Sequence, residues 1–296
     1  MASLKEVKGR IATVQNTQKI TSAMKMVASA KLHKAQGAIG NMLPYEEQLH
    51  QLLANLLAGN EKVESVYTIS REVKKVAIVA FSSNSSLCGG FNSNVIRHLT
   101  DLINKYATLG KENILIYPIG KKVADAVMKM GYKAEGNYEN IAGKPSFKET
   151  AEIAEELMQK FVDKQIDEVV LLYHHFKSTA SQIITQENFL PIDITKHVTR
   201  ENESYGTDYI LEPSRKELME ALLPKALRLK LFTVLLDSNA SEHAARTMAM
   251  QIATDNANDL LQELTIMYNK TRQQAITNEL LDIVGGQMAF PTVSTT

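Results

Sequence analysis

The sequence predicts an α/β domain carried between two long terminal helices that pair as an antiparallel two-helix coiled coil. Three observations lead there. One heptad seam runs through the first forty or so residues, and a second occupies the last seventy or so. Between them, short apolar runs alternate with amphipathic stretches.

The N-terminal seam follows the alternating three-four spacing of a coiled-coil helix. Its positions are Leu4, Val7, Ile11, Val14, Gln18, Thr21, Lys25, Ala28, Leu32, Ala35, Ile39 and Met42. Pro44 is expected to interrupt it, because proline lacks the N–H and clashes with the preceding turn. Helical signal returns with Leu49, Leu52, Leu53, Leu56 and Leu57, and Gly59-Asn60 should stop it. A helix over residues 1–58 would reach about 87 Å. No compact domain of this size is that wide, so the helix must project or pair.

From about residue 71 to 200 the pattern is that of a Rossmann-like three-layer α/β domain. Val76–Phe81, Ile114–Ile119 and Glu168–Phe176 read as buried strands, and Gln182–Gln186 as a hairpin partner of the last. Asn92–Tyr106, Lys121–Met130 and Phe147–Lys164 read as helices, with Gly136 to Pro145 as a loop. Strands alternating with helices imply a mainly parallel sheet covered by helices.

The C-terminal helix opens at Pro213-Ser214, meets Pro224 as an early kink, and runs over residues 214–286. Leu229, Phe232 and Leu236 share one face. Met250, Ala253, Ala257, Leu260, Leu264 and Met267 are expected to form the seam, which then turns polar at Thr271, Gln274 and Asn278. Gln18, Thr21 and Lys25 are polar in the other seam. A polar seam costs stability. Either the register slips there, or these stretches touch something besides each other.

Composition narrows the function classes. Lys+Arg and Asp+Glu are both 33, and this balance argues against a general nucleic-acid binder. The charge is unevenly placed. Residues 1–40 hold seven bases against one acid, and residues 237–296 hold seven acids against three bases. The two are either solvated helix faces or segments that face charged partners. The single Cys excludes an intramolecular disulfide and a four-thiolate zinc site, and suits a reducing compartment. No window reaches the roughly 18 apolar residues of a spanning helix, and the first residues lack the apolar core of a secretory signal.

The loop SSNSSLCGGFNSN (82–94) follows the first strand and opens a helix, the place where α/β folds bind phosphate. It supplies neither G-x-G-x-x-G nor G-x-x-x-x-G-K-[ST]. Cys88 is either a small packing residue, the favoured reading, or a thiol with a lowered pKa at a helix start. His174 and His175 are adjacent on a strand and so point to opposite faces, which keeps them from sharing a metal. Glu46-Glu47 and Glu155-Glu156 read as solvated acid pairs. No H-E-x-x-H or G-x-S-x-G is present, so no catalytic, metal or cofactor residue is identified.

Three blocks carry a resemblance. IATVQNTQKITSAMKMVASAKL (11–32), Leu87-Cys88-Gly89-Gly90, and residues 240–286 with Ile276-Thr277-x-Glu279 are similar to the gamma subunits of F-type ATP synthases, and the similarity covers nearly the whole chain. It implies a non-catalytic rotor shaft within a ring of alpha and beta subunits. The α/β domain would sit at the foot, beside the epsilon subunit and the proton-driven membrane ring of c subunits. The implied location is the cytoplasmic face of the cell membrane, held there peripherally by the complex. The resemblance puts Lys19, Met24, Lys25 and the Cys88 loop against beta. It puts Arg272, Gln273, Thr277, Glu279 and, more weakly, Arg246 against the upper ring. Tyr205 and Tyr209 fall near the membrane ring or epsilon. One block departs from the family, since Asn84, Ser85 and Ser86 stand where it usually has Asp-Arg-Gly. The tail PTVSTT (291–296) extends beyond the signature. Two alternatives lie in other classes: a nucleotide-binding α/β enzyme and a static coiled-coil scaffold.

Overall fold

The computed structural model describes residues 3–57, 65–192, 212 and 214–289. Among them, the elements in chain order include helix α1 (Leu4–Leu57), strand β1 (Val76–Phe81), α2 (Phe91–Lys105) and β2 (Ile114–Ile119). There follow α3 (Lys121–Lys129), α4 (Glu139–Gly143), α5 (Phe147–Val162), β3 (Glu168–Phe176), β4 (Gln182–Leu190) and α6 (Arg215–Ala289). The fold is α/β, with two long helices packed together and a four-stranded mixed sheet flanked by helices. The chain forms two compact units, Met1–Met26 with Ala249–Thr296, and Val27–Met248.

In the larger unit the sheet order is β2-β1-β3-β4. β1 pairs in parallel with β2 and β3, and β4 returns antiparallel to β3. All six residues of β1 are buried, as a strand covered on both faces requires. Ala77, Val79 and Phe81 face a core shared with α4, α5 and α6, through Ile141, Leu157 and Leu231. Val76, Ile78 and Ala80 face a second core with α2 and α3, through Leu99 and Val127. Gly120 joins β2 to α3 at φ +104°, where a Cβ would stand 2.2 Å from the Ser82 carbonyl oxygen.

The long helices of this unit meet in two further clusters. Leu49, Leu53 and Leu56 of α1 pack with Met219 and Leu223 of α6, and Leu32 and Ala35 pack with Ala240 and Ala244. Numbers rise along one helix as they fall along the other, so the two run antiparallel. α6 is enclosed here, with no exposed residue from Ala226 to Thr247. Asp237 of α6 accepts the Phe176 amide at 2.7 Å and contacts His175 Nδ1 at 2.7 Å, tying the helix to the end of β3.

In the smaller unit the first turns of α1 pair with the second half of α6. Ser3 caps α1 by accepting the Glu6 amide. Val7, Thr21, Met250, Ala257 and Leu264 are buried. The Thr21 and Thr254 hydroxyls bond each other at 2.8 Å.

Several expectations are corrected. α1 runs unbroken through Pro44 rather than being interrupted there. One missing amide bond is outweighed by the packing of the flanking leucines. α4 occupies part of the expected loop over 136–145. β4 reaches Leu190 rather than Gln186 because Phe189 and Leu190 enter the core. The seam of α6 holds at Met250, Ala253, Ala257, Leu264 and Thr271 but slips by one residue at Leu260, Met267 and Gln274. Leu260 and Met267 are 43% and 49% exposed, while Leu261, Tyr268 and Ala275 are half-buried in their place. The pair Glu155-Glu156 is exposed as expected, and each acid also holds a partner. Glu155 bonds Arg228 at 2.7 Å, and Glu156 accepts from Tyr117 and Lys160. Burial, offset in part by Lys160, pushes the Tyr117 hydroxyl up to about 12.

Candidate functional site

The loop after β1 is built from its own polar side chains. Ser82 continues the strand by donating its amide to Ile119 O at 2.7 Å, and its hydroxyl accepts the Val123 amide at the start of α3. Asn92, in the first turn of α2, reaches back into the loop. Its Oδ1 accepts the Ser83 amide at 3.1 Å, and its Nδ2 donates to Ser83 Oγ at 2.8 Å and to Cys88 Sγ at 3.1 Å. Ser83 Oγ in turn donates to Ser85 O at 2.6 Å. A short polar segment thereby satisfies its own backbone groups.

Asn84 ties the loop outward. Its Oδ1 accepts the Lys121 amide at 3.0 Å, and its Nδ2 donates to Glu139 O at 2.7 Å. An aspartate at this position could accept from Lys121 but could not donate to Glu139. The departure at 84 therefore carries its own two-sided link.

The third tie comes from α6. Arg246 donates to Ser86 O through one guanidinium nitrogen and to Glu242 Oε1 at 2.6 Å through another. Both side chains are about a tenth exposed. Burial pushes the Glu242 carboxyl up, and the bond and charge of Arg246 oppose that shift. Glu242 was not among the expected site residues. Its signal was the i, i+4 spacing to Arg246 on one helix face.

These ties fix what the loop shows to solvent. Cys88 is 1% exposed and packs with Phe91 and Ala245, so it takes the packing role. Leu87 beside it is 60% exposed with φ +66°. His174 lies under the loop, stacked on Phe91 at 4.4 Å between centroids. His175 is exposed on the other side of the strand, as expected. Burial lowers His174 to about 4, with a smaller contribution from His98.

The structure brings Arg246 and the Cys88 loop together. In the smaller unit Lys19 is exposed, while Met24 and Lys25 are half-buried. Arg272, Gln273, Thr277 and Glu279 are all exposed on α6, and the Thr277 hydroxyl bonds Gln273 O at 2.9 Å. Ile276, Leu280, Leu281, Ile283 and Val284 around them are 45–64% exposed. Tyr205 and Tyr209 lie outside the described residues. Among the described residues no cluster of three or more His, Cys, Asp or Glu could hold a metal ion, and no helix is long and apolar enough to cross a membrane.

The fold defines a class, an α/β domain carried between two long terminal helices. The family model described as ATP synthase matches residues 3–290. The ATP synthase gamma chain of Phocaeicola vulgatus is 66% identical over 289 residues, covering 98% of this chain and all of that one. The gamma chain of Bacteroides fragilis is 60% identical over 291 residues, again covering 98% and 100%. Among solved structures, a chain of the Euglena gracilis mitochondrial ATP synthase aligns with a TM-score of 0.64 at 19% identity, covering 99% of this chain and 98% of that one. A chain of the Tetrahymena thermophila mitochondrial ATP synthase central stalk and c-ring aligns at 0.56 and 24% identity, covering 79% and 99%. These last two are likenesses of fold. The chain belongs to the ATP synthase gamma chains, the non-catalytic central-stalk subunits of F-type ATP synthase.

Proposed function

We propose that this chain is the rotating shaft that couples a proton-driven membrane ring of c subunits to conformational change at catalytic beta subunits, for ATP synthesis or hydrolysis. In this reading residues 1–58 and 214–286 form an antiparallel coiled coil, and residues 71–200 form a Rossmann-like three-layer domain at its foot. The observation that carries the reading is the end of α6. There the seam gives way to a helix whose apolar and polar side chains both face outward. A helix that exposes Ile276, Leu280, Leu281, Ile283 and Val284 together presents an apolar surface that calls for a sleeve.

Arg272, Gln273, Thr277 and Glu279 supply donors and acceptors to loops of the alpha and beta ring at that level. Arg246 keeps only a tenth of its side chain for such a contact. Lys19, Met24, Lys25 and the loop carrying Cys88 meet the acidic helix-turn-helix of beta, which suits the basic surplus of residues 1–40. Tyr205 and Tyr209 contact the c ring or epsilon. Attachment to the cytoplasmic face of the cell membrane is then peripheral, through these proteins. No cofactor or nucleic acid enters this role.

The test is reconstitution. The chain is mixed with alpha, beta and epsilon subunits, and the purified assembly is joined to membrane sectors in vesicles. ATP-driven proton pumping that requires the chain is the expected result. A chain that never enters the ring, or that binds nucleotide alone, would overturn the reading.

A further inference from the structure

The edge of the sheet where β1, β2 and β3 begin is rich in lysine. α2 ends there at Lys105, the turn into β2 carries Lys111, and α3 ends there at Lys129, with Lys133 just beyond. All four side chains are exposed, and among the described residues none of them forms an ion pair. The acids of this edge are engaged elsewhere or stand open. Glu168 accepts the Tyr106 hydroxyl at 2.8 Å, Asp167 accepts the amides of Lys74 and Lys75, and Asp101 and Glu112 are exposed.

Two of the lysines lie over rings. Lys105 Nζ is 5.5 Å from the centroid of Tyr106, and Lys111 Nζ is 5.3 Å from that of Tyr132. Such contacts favour fixed places for the ammonium groups on the surface. Met128, in the last turn of α3, is 61% exposed next to Lys129. Unpaired cations with an apolar side chain and a half-buried tyrosine alongside suit the boundary of an anionic bilayer. The lysines meet headgroup charge, and the apolar tip meets the layer beneath.

Placement in the larger unit agrees. Leu190 ends β4 opposite Val169, near the start of β3. Ile192 donates its amide to Tyr67 O at 2.9 Å, and both residues pack on the cluster of Leu49, Leu53 and Met219, where α1 stops and α6 starts. The opposite edge holds the loop that Arg246 ties. We infer that Lys105, Lys111, Lys129 and Lys133, with Met128, form a direct electrostatic contact with anionic lipid headgroups. The inference rests on the shaft reading for its orientation, since that reading puts this end toward the membrane. Protein contacts hold the chain there, and the patch adds an attraction that acts across a Debye length, about 8 Å at physiological salt.

The experiment sediments the complex of this chain with alpha, beta and epsilon subunits, without membrane sectors, with sucrose-loaded vesicles. The vesicles are phosphatidylcholine alone or phosphatidylcholine with phosphatidylglycerol, at low and high salt, and thermal melting of each variant is measured alongside. The wild-type complex should bind only the vesicles with phosphatidylglycerol, and high salt should release it. Lys129→Gln/Lys133→Gln should weaken binding at least about threefold, and adding Lys105→Gln and Lys111→Gln should bring the loss to at least about tenfold. Met128→Gln should weaken it about twofold. Lys121→Gln/Lys122→Gln, which removes the same charge at the other end of α3, should stay near the wild type. Equal binding to both vesicle types, or equal losses from the two ends of α3, would overturn the assignment. So would a four-lysine variant that loses epsilon yet binds vesicles as the wild type does, since the patch would then belong to a protein. If the chain does not join the ring, the shaft reading falls. The same vesicles are then sedimented with the full chain alone, and its Lys129→Gln/Lys133→Gln variant decides the patch by itself.

Discussion

The hydroxyls of Thr21 and Thr254 bond each other at 2.8 Å between α1 and α6, although each also bonds a carbonyl of its own helix, Gln18 O and Met250 O. A polar residue in a seam is therefore answered by a polar residue in the facing seam. The pair fixes register where leucines would tolerate sliding. Thr21→Val should lower stability by about 0.5–1.5 kcal/mol, because one hydroxyl partner is lost in a nearly buried place. The double variant Thr21→Val/Thr254→Val should recover most of that loss. Urea titration followed by circular dichroism checks both, and an equal loss in the double variant would show that the pair does not act as a unit.

Arg246→Ala should be among the most damaging single changes in the larger unit, at about 3–5 kcal/mol, because it strands Glu242 in a buried place. Pairing it with Glu242→Leu should restore a good part. The same urea experiment reads this. A loss below about 1 kcal/mol would mean that the pair is effectively solvated.

Gly120→Ala should cost about 2–4 kcal/mol, since alanine is strained at positive φ and its Cβ would meet the Ser82 carbonyl oxygen. A melting temperature unchanged from the wild type would contradict the geometry of the β2–α3 turn.

Acid should loosen the protein before its carboxylates titrate. Burial lowers His174 and His243 to about 4 each, with Lys31 and Arg246 adding to the shift of His243. In the unfolded chain both titrate near 6.5. The unfolded state therefore binds more protons below about 6.5, so stability is full above that pH and falls as pH drops toward about 4. His174→Phe, which keeps a ring against Phe91, should flatten this limb. Melting temperatures measured from pH 7 to 4 would expose the opposite outcome, an unchanged slope.

Arg272→Ala and Gln273→Ala together should leave the isolated chain as stable as before, since both side chains are exposed. In the assembled complex they should lower ATP turnover or ring assembly at least about threefold. Normal assembly and turnover would remove these positions from the proposed upper contact.

Legibility in the sequence followed the contrast between faces. Every seam position named for α1 is buried or half-buried, because mostly polar residues separate them, Ile20, Met26 and Val27 being exposed apolar exceptions. In α6 the contrast fails. Leu260 and Leu261 are both apolar, as are Met267 and Tyr268, so spacing alone could not choose between adjacent phases. Pro44 reads as an interruption because its local cost is visible in the sequence, whereas the leucine cluster that outweighs it forms only on folding. The five residues of α4 are too few to show a period.

The loop site was legible only as a location. Its tie to α6 joins Arg246 to Ser86 across 160 residues, and no spacing rule links positions so far apart. The buried cysteine follows its packing reading, whereas the exposure of Leu87 goes with a left-handed backbone that no residue-type rule marks.

The enclosure of α6 from Ala226 to Thr247 has a mechanical consequence. A rod with no exposed residue over six turns resists winding about its axis without carrying the surrounding body with it, because its side chains are buried or half-buried all round. From Arg272 to Val284 most side chains are exposed instead. Elastic give along this helix therefore belongs to its outer length, where a twist meets little more than the helix's own hydrogen bonds. The enclosed length acts as the chuck.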